Sequence, residues 1–141
     1  MRSNHLIIYF CWFVSAIATF GSLFFSEIME FPPCVLCWYQ RIAMYPLFIL
    51  FLVAPFRGNR EIQYYSIPFV IIGWIISLYH NLLHFEIVPE KLSPCREGVS
   101  CSTVYIEIFD FLTIPMMSFL AFSFIGVGLL VFVKGQYNGE K

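Results

Sequence analysis

Charged side chains are scarce in this chain: Asp, Glu, Lys and Arg make up 12% of its 141 residues, against roughly a quarter in an ordinary soluble domain. A net charge of −1 leaves no basic surface for nucleic acid. The sequence also lacks a glycine-rich phosphate loop, zinc-finger spacing and a c-type haem attachment motif. It has no internal repeat, no low-complexity segment and no hydrophilic tail long enough to form a soluble module. What remains is apolar, 60% hydrophobic and 20% aromatic. This is a membrane composition, within a length that allows one domain over residues 1–141.

Leu6 to Phe25 carries no Asp, Glu, Lys or Arg. Twenty such residues make about 30 Å of helix, which matches the hydrocarbon thickness. A signal peptide competes for the segment, but no small-x-small cleavage site follows in Ser26-Glu27-Ile28-Met29-Glu30-Phe31-Pro32-Pro33, so a retained span is expected. Three further spans are expected near 34–55, 66–85 and 112–133, separated by outer loops 26–33 and 86–111. Pro46 is expected to bend the second and Pro55 to close it, while Pro68 and Pro115 mark early-turn positions of the third and fourth. The fold class is therefore all-α, an integral membrane four-helix bundle.

Orientation follows from Lys and Arg in the connections. Arg2, Arg57, Arg60, Lys134 and Lys141 fall at the termini and in the loop after the second span. Glu27, Glu30, Glu86, Glu90, Glu97, Glu107 and Asp110 fall in the other two loops beside only Lys91 and Arg96. Both termini are thus expected in the cytoplasm, and the cysteine-bearing loop between the third and fourth spans outside. Within that loop, Val104 to Leu112 reads either as a short interfacial helix or as the frayed start of the fourth span.

Five cysteines divide into Cys34 with Cys37, Cys95 with Cys101, and Cys11 alone. Both pairs fall on the side where disulfides persist. As staples they would contribute little, because a loop of seven residues gains only roughly 2 kcal/mol and a C-x-x-C ring less. Exchangeable dithiols explain short rings better, with a four-thiolate metal site as the alternative. An oxidising exterior and the nearby Arg41 charge count against metal. Cys11 sits mid-membrane without a sequence partner and is expected to behave as a small hydrophobe.

Pro33 suits the first position of a helix, which puts Cys34 and Cys37 in a first turn where free N–H groups favour a thiolate. Arg41 shares that face and adds a permanent positive charge. His80 and His84, four apart, have metal- or haem-ligand spacing near the outer membrane surface, though interfacial imidazoles more often bind water or a carbonyl. His80 could also move a proton for a buried redox partner. Trp38 and Tyr39 belong to an interface belt and could wall a flat aromatic ligand.

A membrane dithiol that oxidises a soluble partner is left holding two electrons. A small bundle has no room for a Rossmann domain, so a lipid-soluble quinone is the economical acceptor, near a Cys37 thiolate and Arg41.

Pro33-Cys34-Val35-Leu36-Cys37 with Arg41 four residues on, the four spans, the second pair in the outer loop and Phe111-Leu112-Thr113-Ile114-Pro115-Met116 resemble the DsbB/BdbC family of disulfide bond formation proteins. The likeness covers nearly the whole chain, and P-C-x-L-C-x-x-x-R is specific where a lone C-x-x-C is not. The resemblance implies a thiol oxidoreductase that reoxidises an extracytoplasmic thioredoxin-fold thiol oxidase, DsbA/BdbD-like, and passes electrons to a membrane quinone. By position Cys95 would meet the partner and Cys101 would be its mate. Cys34 would exchange with the loop, Cys37 would face the quinone, and Arg41 and His80 would lie beside it. The close spacing of Cys95 and Cys101 resembles the short Gram-positive type, which implies menaquinone rather than ubiquinone. The vitamin K epoxide reductase family shares the architecture, but there the loop cysteines precede the C-x-x-C. A non-enzymatic tetraspan metal- or haem-handling protein, using the cysteine pairs with His80 and His84, is the reading from a different class.

Overall fold

In lipid every backbone polar group must be satisfied within its own segment, so an apolar chain of this kind builds helices. A computed structural model describes residues 2–30, 32–57, 59–89, 91 and 113–139. It contains α1 (Arg2–Leu23) running into a π-helical turn (Phe24–Ile28), α2 (Val35–Arg57), α3 (Asn59–His84) and α4 (Ile114–Gly139). No strand occurs among the described residues. All four helical rods are long and apolar enough to cross a membrane. Cys95, Cys101 and Val104 to Leu112 lie outside the described residues, with most of the expected 86–111 loop.

The helices form a closed ring in which α1 packs on α2 and α4, and α3 packs on the same two. Along α1, Ile8, Cys11, Ser15 and Thr19 recur at three- and four-residue spacing and are buried, whereas Leu6, Phe10, Phe13, Ile17 and Phe20 are exposed. An apolar exterior is the ordinary state of a spanning helix, because lipid is as apolar as the side chains facing it. Cys11, Leu47, Phe51, Phe122 and Ile125 fill the centre. Ile8, Ala54, Ile62 and Phe132 close one end, and Cys34, Leu36 and Leu83 the other.

Glycines bring α4 close to its neighbours. A Cβ on Gly128 would stand 2.6 Å from the Cys11 sulfur, and one on Gly73 would collide with the Phe122 ring. Cys11 is fully buried at that α1–α4 crossing, its thiol 3.9 Å from the Ile125 carbonyl. It packs as a small hydrophobe, as the sequence indicates.

Several helix ends differ from the sequence expectation, among them both ends of α2, the start of α3 and the end of α4, which runs to Gly139. Cys34 is the cap of α2 rather than a residue of its first turn: its sulfur accepts the Cys37 backbone N–H at 3.3 Å, and its carbonyl accepts that of Trp38 at 3.1 Å. Pro33 therefore stands before the cap. α3 starts at Asn59, so Pro68 lies in its interior and not in an early turn. Asn59, Arg60 and Glu61 read as loop in a hydropathy scan, yet an acidic residue suits the first turn, and α3 reaches 26 residues. α2 runs past Pro55 to Arg57. Pro115 does fall in the first turn of α4.

The end of α3 is closed by a Schellman turn. Glu86 adopts φ 57°, its N–H reaches the Leu83 carbonyl at 3.1 Å, and the Ile87 N–H reaches Leu82 at 3.1 Å. The reversal lays Val88 against Cys34, Leu36 and Leu83. The start of α2 and the end of α3 are thereby held at one end of the bundle.

Candidate functional site: a dithiol beside an apolar cavity

Because Cys34 caps α2 and Cys37 is the third residue inside it, their side chains meet. The sulfurs are 2.8 Å apart. The same register turns Cys37, Gln40, Arg41 and Met44 towards one cavity. From α3, His80 is almost fully buried and points Nε2 at the Cys34 sulfur, 3.8 Å away. Its other ring nitrogen, Nδ1, is 3.2 Å from the Gln40 side-chain nitrogen.

Buried polar groups in a membrane interior need partners, and α3 supplies a row of them. The Ser77 hydroxyl donates to the Trp74 carbonyl at 2.8 Å. One turn on, the Asn81 amide nitrogen donates to the Ser77 carbonyl at 2.8 Å and to the Pro115 carbonyl at 2.9 Å. Asn81 thus ties the His80 segment of α3 to the first turn of α4.

The electrostatics favour a thiolate on Cys34, one residue ahead of the spanning part of α2. The hydrogen bond from Cys37 lowers the Cys34 pKa most, burial works against it, and the His80 ring lowers it again. The sequence places the thiolate on Cys37 beside Arg41; in the structure the lowered Cys34 pKa puts the negative charge on Cys34. The reason is tertiary: the imidazole approaches from α3 on the Cys34 side.

The cavity, about 540 Å³, lies between α1, α2 and α4, with His80 reaching it from α3, and has the size and apolar character of a small-molecule site. Ile17, Met44, Met117 and Phe122 contribute apolar wall, while Cys37, Gln40, Arg41, Tyr45 and His80 are the convergent polar groups. Among the described residues the buried Tyr45 hydroxyl has no hydrogen-bond partner. A flat lipid-soluble molecule with carbonyl oxygens fits such a wall, since it would offer acceptors where donors stand unused.

Arg41 donates to the Ser22 carbonyl of α1 at 3.1 Å, and its guanidinium lies 5.4 Å from the centre of the Trp38 ring. Trp38 itself is 54% exposed and, like Tyr39, does not line the cavity. It stands behind Arg41. His84 packs edge-to-face on Phe85 at 5.6 Å and is not among the donors at the dithiol.

Cys34, Cys37 and His80 place three donor atoms within 4.8 Å of one another, a set that could hold a thiophilic ion. The Arg41 guanidinium at the same cavity counts against a cation there, whereas two sulfurs in contact at a helix cap and its third residue suit a dithiol that closes and opens.

Sequence reasoning gave no role to three participants, Gln40, Asn81 and Tyr45, although a signal was there for two of them. Gln40 and Asn81 had one, since an amide inside an uncharged run is costly unless it has a task. Tyr45 is hidden among many aromatics.

A family profile described as "Disulfide bond formation protein DsbB" matches residues 4–133. The chain is 42% identical over 136 residues to "Disulfide bond formation protein C" of Bacillus subtilis, covering 96% of this chain and 98% of that protein. It is 39% identical over 139 residues to "Probable disulfide formation protein C 2" of Bacillus anthracis, covering 98% and 97%. A "Probable disulfide formation protein" of Metapseudomonas resinovorans is 34% identical over 121 residues, covering 85% and 84%. No solved structure matches.

Proposed function

We propose a function that starts from one established fact: the chain belongs to the DsbB family of disulfide bond formation proteins. It is a membrane protein-disulfide oxidoreductase with four candidate spans. Our reading is that it reoxidises an extracytoplasmic thioredoxin-fold thiol oxidase and delivers the electrons to a membrane quinone, menaquinone before ubiquinone. Both termini lie in the cytoplasm and the redox cysteines at the outer face, as the Lys and Arg distribution suggests. The observation that carries the reading is a paired thiol, held against His80, in the wall of an apolar cavity.

Cys95 and Cys101 take the first exchange, receiving two electrons from the partner dithiol and releasing the partner as a disulfide. A thiolate of that loop pair then attacks the Cys34–Cys37 disulfide: one S–S bond breaks and a mixed disulfide forms. Its resolution by the second loop thiol restores Cys95–Cys101 and leaves Cys34 and Cys37 reduced. Cys37 and His80 hold negative charge on Cys34 at that stage, which makes it the better leaving sulfur. Cys37, Arg41, Tyr45 and His80 would hold the quinone, which supplies a two-electron, two-proton acceptor when bound. Arg41 places positive charge at the cavity wall, and the surrounding apolar helices exclude water from the dithiol. Trp38 fixes the guanidinium from outside.

The test is to extract the purified protein with solvent, identify any quinone, and add it back with a reduced thioredoxin-fold oxidase. Stoichiometric quinone and catalytic reoxidation are expected. Protein that carries metal or haem in place of quinone, and cannot reoxidise the partner, would sink the reading.

A further inference from the structure

Gln40 is the one amide that α2 directs into the site, and it is only 6% exposed. Its side-chain nitrogen faces His80 Nδ1 at 3.2 Å. An amide nitrogen donates and does not accept, so Nδ1 is the accepting, unprotonated nitrogen of the ring. A neutral imidazole carries one proton, which then sits on Nε2, the atom 3.8 Å from the Cys34 sulfur. We propose that Gln40 is the positioning residue of the dithiol centre: it holds His80 in its Nε2–H tautomer, so that Cys34 faces a hydrogen-bond donor rather than an acceptor.

The choice of tautomer decides which form of Cys34 the pocket stabilises. With the proton on Nε2, the ring donates to sulfur and favours a thiolate. With the proton on Nδ1, the Nε2 lone pair would accept the Cys34 S–H and favour the thiol. A leucine at position 40 would satisfy the apolar surroundings but remove the amide that donates to Nδ1. A glutamine there is costly in an apolar interior unless it is paired, and its pairing is with the one histidine that touches the dithiol. The arrangement matches the outer partners that fix ring orientation in other histidine sites, where the nitrogen away from the reaction sets the role of the one facing it.

The inference bears on the disulfide-exchange reading but does not depend on the acceptor being a quinone, since the tautomer is read directly. The test uses full-length protein with Cys95→Ala and Cys101→Ala, so that only the Cys34–Cys37 pair titrates with reductant. Nitrogen-15 histidine is incorporated, and His5→Gln and His84→Gln variants assign the His80 resonances. At one neutral pH, the reduced protein is expected to show a protonated Nε2 and a bare Nδ1. Gln40→Leu should give a mixture of tautomers and slow iodoacetamide modification of Cys34 roughly tenfold, the value of one hydrogen bond to a charged group. Gln40→Glu, which presents an acceptor, should bring a proton onto Nδ1. An Nδ1–H tautomer in the parent would overturn the proposal, and so would a folded Gln40→Leu protein with the parental tautomer and rate. If Gln40→Leu fails to fold, the parent and Gln40→Glu spectra decide.

Discussion

The sulfur of Cys34 and Nε2 of His80 lie 3.8 Å apart although 46 residues separate them in the chain. That contact depends on how α2 and α3 are docked, and it moves the favoured thiolate from the sulfur nearer Arg41 to the one capping the helix. Cys37 and His80 act on Cys34 together, one from the same helix and one from its neighbour.

The first prediction concerns pH. In reduced protein lacking Cys95 and Cys101, iodoacetamide should modify Cys34 before Cys37. An ordinary thiol, with pKa about 8.5, loses anion about tenfold per unit as pH falls below that value. Cys34 has its pKa lowered by Cys37 and His80, so its thiolate persists through that range and is lost only once pH drops below the lowered value. His80→Ala should move the midpoint upward. Peptide mapping of the alkylated protein from pH 3 to 9, a range that spans the lowered value of about 4, measures both, and a parental Cys34 profile like that of a free thiol would refute the assignment.

How much of this was legible in the sequence depends on whether the signal was local. The four spans are local: uncharged runs between charges, which is all that a hydrocarbon slab demands. Cys34, Cys37 and Arg41 are local as well, because helical spacing alone puts them together. The Cys34–His80 contact is not, since no spacing within α2 or α3 reports their register. Gln40 lies between the two cases: its cost in a membrane is visible in the sequence, but its partner is not. Pro33 misplaced the cap by two residues because a cysteine sulfur does at position 34 what a serine or aspartate oxygen usually does.

Cys11 supplies a second prediction. It has no exchange partner among the described cysteines and is packed where Gly128 lets α4 approach α1. Gly128→Ala should destabilise the bundle by about 1–3 kcal/mol through overpacking, and Cys11→Ala should relieve that clash. The double variant should therefore be more stable than Gly128→Ala alone, a non-additivity that a double-mutant cycle of thermal midpoints would measure. Cys11→Ala alone should keep oxidase activity. Strictly additive effects would show that the two residues do not touch.

Topology gives a third. Arg57 and Arg60 flank the α2–α3 connection, and Lys134 lies in the last part of α4, while the acidic loops carry the other end. In intact cells, cysteines introduced as Asn59→Cys and Asn138→Cys should be shielded from impermeant thiol reagents, whereas Ser93→Cys should react. The opposite pattern would put the dithiol on the cytoplasmic side and remove the argument for an exported partner.

Arg41 carries the last prediction, because it has two ways to matter. As a cavity wall residue it can stabilise negative charge on a bound quinone; as a donor to the Ser22 carbonyl it can simply tie α2 to the end of α1. Arg41→Met removes both, so it cannot separate them alone. Arg41→Lys keeps a charge but loses the planar fork that reaches Ser22 and stacks on Trp38. If the charge at the cavity is what counts, lysine should recover much of the quinone affinity that methionine loses. That loss is about ten- to a hundredfold, the worth of one charge-assisted hydrogen bond at roughly 1.5–3 kcal/mol. If the tether is what counts, both variants should lose thermal stability alike and lysine should rescue nothing. Quinone binding by difference spectroscopy, thermal midpoints, and exchange between the two cysteine pairs should be measured on all three proteins. Exchange among the thiols should survive in each, since neither sulfur depends on Arg41 for its hydrogen bonds. An Arg41→Met protein that folds normally and binds quinone as the parent does would remove Arg41 from the site altogether.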